Sequence, residues 1–364
     1  MKEFRYAMTY RTFPTPFAHV FALGLLALTA SCGGATNDAR AMSTTGASKR
    51  PRPHGENAEL RQPASPGGSN RTSAAGDIAG DSIRRLPANH LGRIPILEYH
   101  VIGGDKNALY TRTRESFRQD LEDVYRRGYR PITVSQMLDR DFHEVPPGMS
   151  PVIIVFDDAS AEQFSYVEND GKLEIDSTSA VGIWLDFAKS HPGWGNRATF
   201  CMLNGGAAGH NFFGDGPKYR GQHKQWRLQK VKWLAENGFE LCAHTLWHAM
   251  LNKYSDAVVQ EQIARNVMGI DSAVAGYSVR TFALPYGIWP KNRELAWRGS
   301  WTDPKTGQTH SYSFDAVLEV SGGPARSPYD PQFNPHSITR IEAINDDIRR
   351  QLDKLDSSRT RFVE

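Results

Sequence analysis

Three cysteines in 364 residues exclude a disulfide-built scaffold of the kind small secreted domains use. No apolar run is long enough to cross a bilayer. The longest, from about residue 17 to 30, has the length of a signal-peptide core. No internal repeat is present, which excludes solenoids and propellers. Charge of one sign is not in excess either: the formal net charge is +3. Twelve Lys/Arg against six Asp/Glu lie before Ile94, leaving +6 on that stretch and −3 on the remainder. The pI of 8.6 is therefore no argument for nucleic-acid binding by the folded part, and no nucleic-acid partner is expected. The 39% apolar and 23% charged content is that of an ordinary soluble globular protein.

What is present begins with Lys2, Arg5 and Arg11 ahead of the apolar stretch and Thr29-Ala30-Ser31-Cys32-Gly33-Gly34 behind it. That arrangement resembles a bacterial lipoprotein signal, whose cysteine becomes the lipidated first residue of the mature chain. Thr29 stands where Leu is usual, with Leu28 adjacent. Read instead as an ordinary signal peptide, the segment still implies export. Residues 1–32 are thus expected to direct the protein to the cell envelope, periplasm or exterior, with membrane contact only through a lipid. Residues 33–92 are rich in Gly, Ser, Ala, Pro, Asn and Arg, and almost lack aromatic and β-branched residues. Such a segment cannot bury enough apolar surface to offset its ordering entropy, so a disordered tether is expected. The folded domain is expected over 93–364.

Within that domain, short apolar runs alternate with helical spacing. Ile94-Pro95-Ile96-Leu97-Glu98-Tyr99-His100 reads as a strand, followed by a helix over 115–127 with Gly128 as its stop. Strands follow at 131–134, 152–156, 198–203, 239–243, 282–284, 314–319 and 338–341, and helices at 180–190, 226–237 (with Leu228, Val231 and Leu234 inward), 255–274 and 346–355. Strand–helix alternation predicts a parallel α/β architecture. Cys201 and Cys242 fall in strand-like runs and are expected as buried thiols rather than a bridge. The Gly- and aromatic-rich stretch 204–224 is expected as a long loop at a strand end, where function concentrates.

Val152-Ile153-Ile154-Val155-Phe156 ends in Asp157-Asp158. Paired carboxylates there must be exposed, ion-paired or cation-bound; taken alone, they read equally well as an acidic turn. His244 and His248 are four apart, a spacing that puts two imidazoles on one face of a helical turn and suits one metal ion. Alone this pair is a weak signal. Both pairs close predicted strands, however, and in parallel α/β folds the loops at strand C-termini converge on one site. One Asp and two His leave open positions for water and substrate, the pattern of a catalytic metal.

These motifs, in order, resemble the polysaccharide deacetylases of carbohydrate esterase family 4, the NodB-homology domain. Phe156-Asp157-Asp158 matches the first motif, with Val155 and Ala159 at its outer positions. His244-Thr245-Leu246-Trp247-His248 matches the second, and Phe282-Ala283-Leu284-Pro285-Tyr286-Gly287 resembles the third, with Ala283 in place of the usual Arg. The resemblance covers roughly 94–344 and implies a distorted (β/α) barrel of seven or eight strands. It implies that Asp158, His244 and His248 hold a divalent metal, most often Zn2+, and that Asp157 is the general base toward metal-bound water. The backbone N–H of Tyr286 would stabilise the oxyanion, with Pro285, Gly287 and Trp289 beside the substrate.

The family's closing Leu-x-His has no good copy. His336 precedes a strand rather than ending one. His100 ends the first strand, as in the circularly permuted poly-N-acetylglucosamine deacetylases, and is the expected general acid; a histidine that merely orients a neighbour is the other reading. Arg280 or Arg340 is expected to replace the missing Arg and orient Asp157, the alternative for each being a solvated charge. Trp247, Tyr286, Trp289 and Phe212-Phe213 are candidates to stack on sugar rings or to be core. The implied substrate is an N-acetylated, GlcNAc-containing polysaccharide. O-acetyl xylan esterase, peptidoglycan deacetylase and carbohydrate-binding pseudoenzyme are the alternatives.

Overall fold

The computed structural model describes residues 85–206 and 210–364. The expected signal peptide and the tether as far as residue 84 lie outside the described residues. Seven parallel strands close into a barrel in chain order. They are β1 Ile96–Tyr99, β2 Ser150–Asp157, β3 Thr199–Met202, β4 Glu240–Ala243, β5 Thr281–Ala283, β6 Ala316–Gly322 and β7 Ile338–Glu342. Closure is made by β1, which pairs with β2 (Ile96 opposite Ile153) and with β7 (Leu97 opposite Ile341). A short strand, Tyr129–Pro131, lies beside the first half of β2.

Period-two alternation sorts the strand residues into two cores. Leu97, Tyr99, Ile154, Phe156, Phe200, Met202, Leu241 and Phe282 join the layer beneath the helices. Ile96, Ile153, Val155, Cys201, Cys242, Ala283, Leu318 and Ile338 fill the barrel interior, with Phe362 in the same cluster. Helices α1 Arg114–Arg126, α2 Val134–Leu138, α3 Ala180–Ser190, α4 Arg227–Glu236, α5 Asp256–Ala273 and α6 Asp347–Ser358 follow strands along the chain. Their starts obey capping rules: Thr113, Ser179 and Ser255 each accept a first-turn N–H, and Thr133 with Gln136 forms a capping box.

Four sequence expectations are corrected. The fold begins before residue 93: Asn89 bridges Val363, and Gly92 packs so closely that a Cβ would stand 2.3 Å from the Arg361 carbonyl. Cys201 and Cys242 are not free thiols but a disulfide inside the barrel. They are register partners on β3 and β4 with Cα atoms 4.1 Å apart, a pairing that depends on register and not on either run alone. Leu228, expected to face inward on α4, is exposed, while Lys230 is buried and donates to the Phe213 carbonyl at 2.6 Å. Finally, hairpins at Tyr166–Asn169/Lys172–Ile175 and Arg298–Thr302/Thr309–Ser313 were not expected. Most of their residues are exposed or half-exposed, so no apolar alternation marks them.

Candidate active site

The C-terminal ends of β1, β2, β4 and β7 deliver the polar groups to one end of the barrel. Asp157 is the last residue of β2, and the chain turns sharply through Asp158 (φ 78°) and Ala159 (φ 56°). Left-handed backbone at non-glycine residues costs about 1–3 kcal/mol and clusters where function demands it. Here it lets adjacent carboxylates take different partners. Asp158 Oδ1 lies 3.3 Å from His244 Nε2 and 3.5 Å from His248 Nε2. Asp157 instead meets Arg340, Nη1 to Oδ1 and Nη2 to Oδ2, both 2.9 Å.

His244 and His248 do not sit on a helical turn as expected. Thr245 (φ 70°) and His248 (φ 67°) are left-handed, which no α-helix accommodates, and the segment is a loop. The loop is held from within and below. Thr245 Oγ1 accepts from the His248 N–H at 3.0 Å, and buried Asn266 on α5 accepts from the His244 N–H at 2.9 Å. Gln262, also buried on α5, accepts from the Trp247 N–H at 3.2 Å. His244 Nδ1 stands 2.9 Å from the Ala283 carbonyl. A carbonyl only accepts, so Nδ1 carries the proton and Nε2 turns its lone pair toward Asp158.

Electrostatics separate the two carboxylates. Burial alone would push Asp157 up, but the Arg340 charge, His244 and the paired hydrogen bonds outweigh it and hold the group below the usual Asp value. Burial likewise opposes ionisation of Asp158, and the neighbouring His244 outweighs it, holding the carboxyl below the ordinary Asp value. Burial, then the neighbouring His244, push His248 down to about 4, so it is a neutral imidazole near pH 7, the form that ligates cations.

Arg340 is fully buried, its Nε reaching the Glu319 carbonyl and lying 3.3 Å from Glu98 Oε2. His100 stands on the other side of Glu98, Nε2 to Oε1 3.5 Å, with the Tyr110 ring at 4.9 Å. Tyr286 is left-handed (φ 58°) and half exposed, its ring 4.1 Å from that of His248. Pro285 is buried beside it; Gly287 (φ 64°) backs onto Val320. Trp289 donates to the Glu319 carboxylate at 3.1 Å, and Arg293 covers one face of its ring at 3.7 Å.

Four other expected residues lie elsewhere. Arg280 precedes β5 and is spent on Asp139 and Asp315, at the end of the barrel away from Asp157. His336 stacks on Trp297 at 4.6 Å. Phe212 and Phe213 are buried in the outer core and face no substrate. Conversely, Glu98, His210, Asn266 and Gln262 were missed. Glu98 had a signal: on a strand, residues two apart share a face, so it points where His100 points. Gln262 and Asn266 are polar residues four apart on a helix stripe otherwise made by Val259, Ile263 and Ile270. His210, its Nδ1 3.6 Å from Asp158 Oδ2, carried only its place in the long loop.

Asp158, His244 and His248 offer three ligand atoms within 4.8 Å of one another. His244 Nε2 and Asp158 Oδ1 are buried without a hydrogen-bond partner, as ligands aimed at a cation are. The set therefore fits a divalent metal.

Residues 194–298 match the family model of polysaccharide deacetylase. No curated protein matches the chain. Among solved structures, the Streptococcus pyogenes deacetylase PplD in complex with acetate is 17% identical over 72% of this chain and 97% of its own, with a TM-score of 0.49. IcaB from Ammonifex degensii is 17% identical over 71% of this chain and 95% of its own, at 0.48. The BpsB deacetylase domain from Bordetella bronchiseptica is 17% identical over 70% and 97%, at 0.45. The matched segment contains His244, His248 and the Pro285-Tyr286-Gly287 turn, so the part of the chain that resembles polysaccharide deacetylases carries part of the candidate site.

Proposed function

We propose that the protein is an exported hydrolase that removes N-acetyl groups from a GlcNAc-containing polysaccharide, with Asp158, His244 and His248 holding a divalent cation, Zn2+ by donor type. The observation that carries this reading is the division between the two aspartates, one facing bare imidazole nitrogens and the other clamped by a guanidinium. When bound, the cation supplies Lewis-acid polarisation of the acetyl carbonyl and acidifies water. Asp157, kept ionised by Arg340, takes the proton from the attacking water as the new C–O bond forms. The N–H of Tyr286, a residue held in left-handed backbone, is assigned to the developing oxyanion. His100 gives a proton to the nitrogen as the C–N bond breaks, releasing acetate and a free amine. Exposed Trp247 and Tyr286 supply faces for sugar rings.

Export is supported by the signal-like start and by the Cys201–Cys242 disulfide, which suits an oxidising compartment. Among the described residues, no helix is long and apolar enough to cross a membrane. Attachment through a lipid on Cys32 is part of the proposal.

The test is acetate release from poly-N-acetylglucosamine, chitin oligosaccharides, peptidoglycan and acetylxylan, before and after chelation. Release from the first, abolished by chelator and restored by Zn2+, is the expected result. Release only from acetylxylan would make it an O-acetyl esterase and release only from peptidoglycan a wall deacetylase. Binding without release from any polymer would make it a pseudoenzyme.

A further inference from the structure

Glu98 is 1% exposed, and neither carboxylate oxygen has a hydrogen-bond partner. A buried carboxylate without such bonds is costly enough that a fold keeps it only for a reason. Its surroundings supply one. Arg340 of β7 lies 3.3 Å from it and His100 3.5 Å, and Glu342 of β7 with Asp157 and Asp158 at the end of β2 act on it by charge. Glu98, His100 and Asp157 bring ligand atoms within 4.8 Å of one another, and Arg340 already supplies a positive charge to Glu98 and Asp157. Glu342 is the register partner of Glu98 across the β1–β7 seam. A small cavity of about 10 Å³, room for one water, is lined by Glu98, His100, Glu342, Tyr110 and Arg112 among others.

We propose that Glu98 and Glu342 form a carboxylate pair that resupplies the proton His100 gives to the departing amine, Glu98 directly and Glu342 through water in the cavity. This rests on the acid role proposed for His100. In each turnover His100 loses one proton to nitrogen. Glu98 replaces it across the 3.5 Å contact and becomes a carboxylate balanced by Arg340. Half-buried Glu342 then returns a proton to Glu98 from solvent. Burial raises the affinity of both carboxyls for a proton, most strongly at Glu98 and against the pull of Arg340, while burial lowers that of His100. Glu98 acts through His100 and is a positioning and supply residue, not a catalytic one.

The experiment compares Glu98→Gln, Glu98→Asp, Glu342→Gln and His100→Ala with wild type, measuring kcat and KM for deacetylation from pH 6 to 9. The expected result is a kcat about tenfold lower or more for Glu98→Gln with KM unchanged. The deficit should grow as pH rises, with partial recovery in Glu98→Asp and a smaller deficit of the same pH trend in Glu342→Gln. Glu342 is half-buried and its replacement leaves the core intact, so it decides the matter if Glu98→Gln fails to fold. Wild-type kcat and pH profile in folded Glu98→Gln, or in Glu342→Gln where Glu98→Gln does not fold, would overturn the inference. If His100→Ala has wild-type kcat, the acid role fails instead, which is a separate result.

Discussion

Replacing Arg340 by Met tests the site through stability alone, without substrate. The guanidinium makes two charged hydrogen bonds of 2.9 Å to Asp157, lies 3.3 Å from Glu98, and is shielded from solvent together with both carboxylates. Removing it leaves the buried Asp157 carboxylate uncompensated, and breaking a buried pair this way costs about 3–5 kcal/mol. The pH dependence has a definite sign. In the wild type Asp157 lies below its ordinary value, so it contributes stability above the unfolded pKa of about 3.9, lost as pH falls through the folded value. In the variant, burial without Arg340 raises the folded pKa, and the penalty appears as pH rises past the unfolded value. The gap between the proteins should therefore be widest at pH 8 and shrink toward pH 4. Urea unfolding of chelated wild type and Arg340→Met at pH 8 and pH 4.5 measures it. A loss below about 1 kcal/mol at pH 8, or one equal at both pH values, would refute the reasoning.

Two further outcomes follow from the fold. Replacing Cys201 and Cys242 together by Ser opens a loop of sequence separation 41 and should cost about 4 kcal/mol by loop entropy, read as a lower urea midpoint that reductant no longer shifts. Lys230, lowered to about 7 by burial from an ordinary 10.5, binds its proton less readily when folded. Its penalty is fully present below pH 7 and relieved as pH rises toward 10.5, so Lys230→Met should stabilise by about 1–3 kcal/mol at pH 6 and lose that gain by pH 9–10, seen in melting curves.

The barrel was legible because its strands are short apolar runs with charged or aromatic ends, and because Gly128 and Gly238 stop their helices at positive φ. Asp157, Asp158, His244 and His248 were legible because each pair closes such a run. Which Arg reaches Asp157 was not, since Arg280 and Arg340 both adjoin strands. Only the ring closure tells them apart: Arg340 lies within β7 and points up the barrel, whereas Arg280 precedes β5 at the other end. The disulfide was hidden for a related reason, because register between β3 and β4 is a property of two distant segments. The loop form of His244 to His248 was hidden by a spacing that also fits a helix. Glu98 could have been found by counting two back from His100.

The most direct test of the division between the two aspartates is metal content and acetate release measured on one preparation of Asp157→Asn. One equivalent of bound metal, as in wild type, with acetate release lower by about a thousandfold is the predicted result. Loss of the metal would mean that Asp157 is a ligand rather than the base, and undiminished release would mean that the proton goes elsewhere.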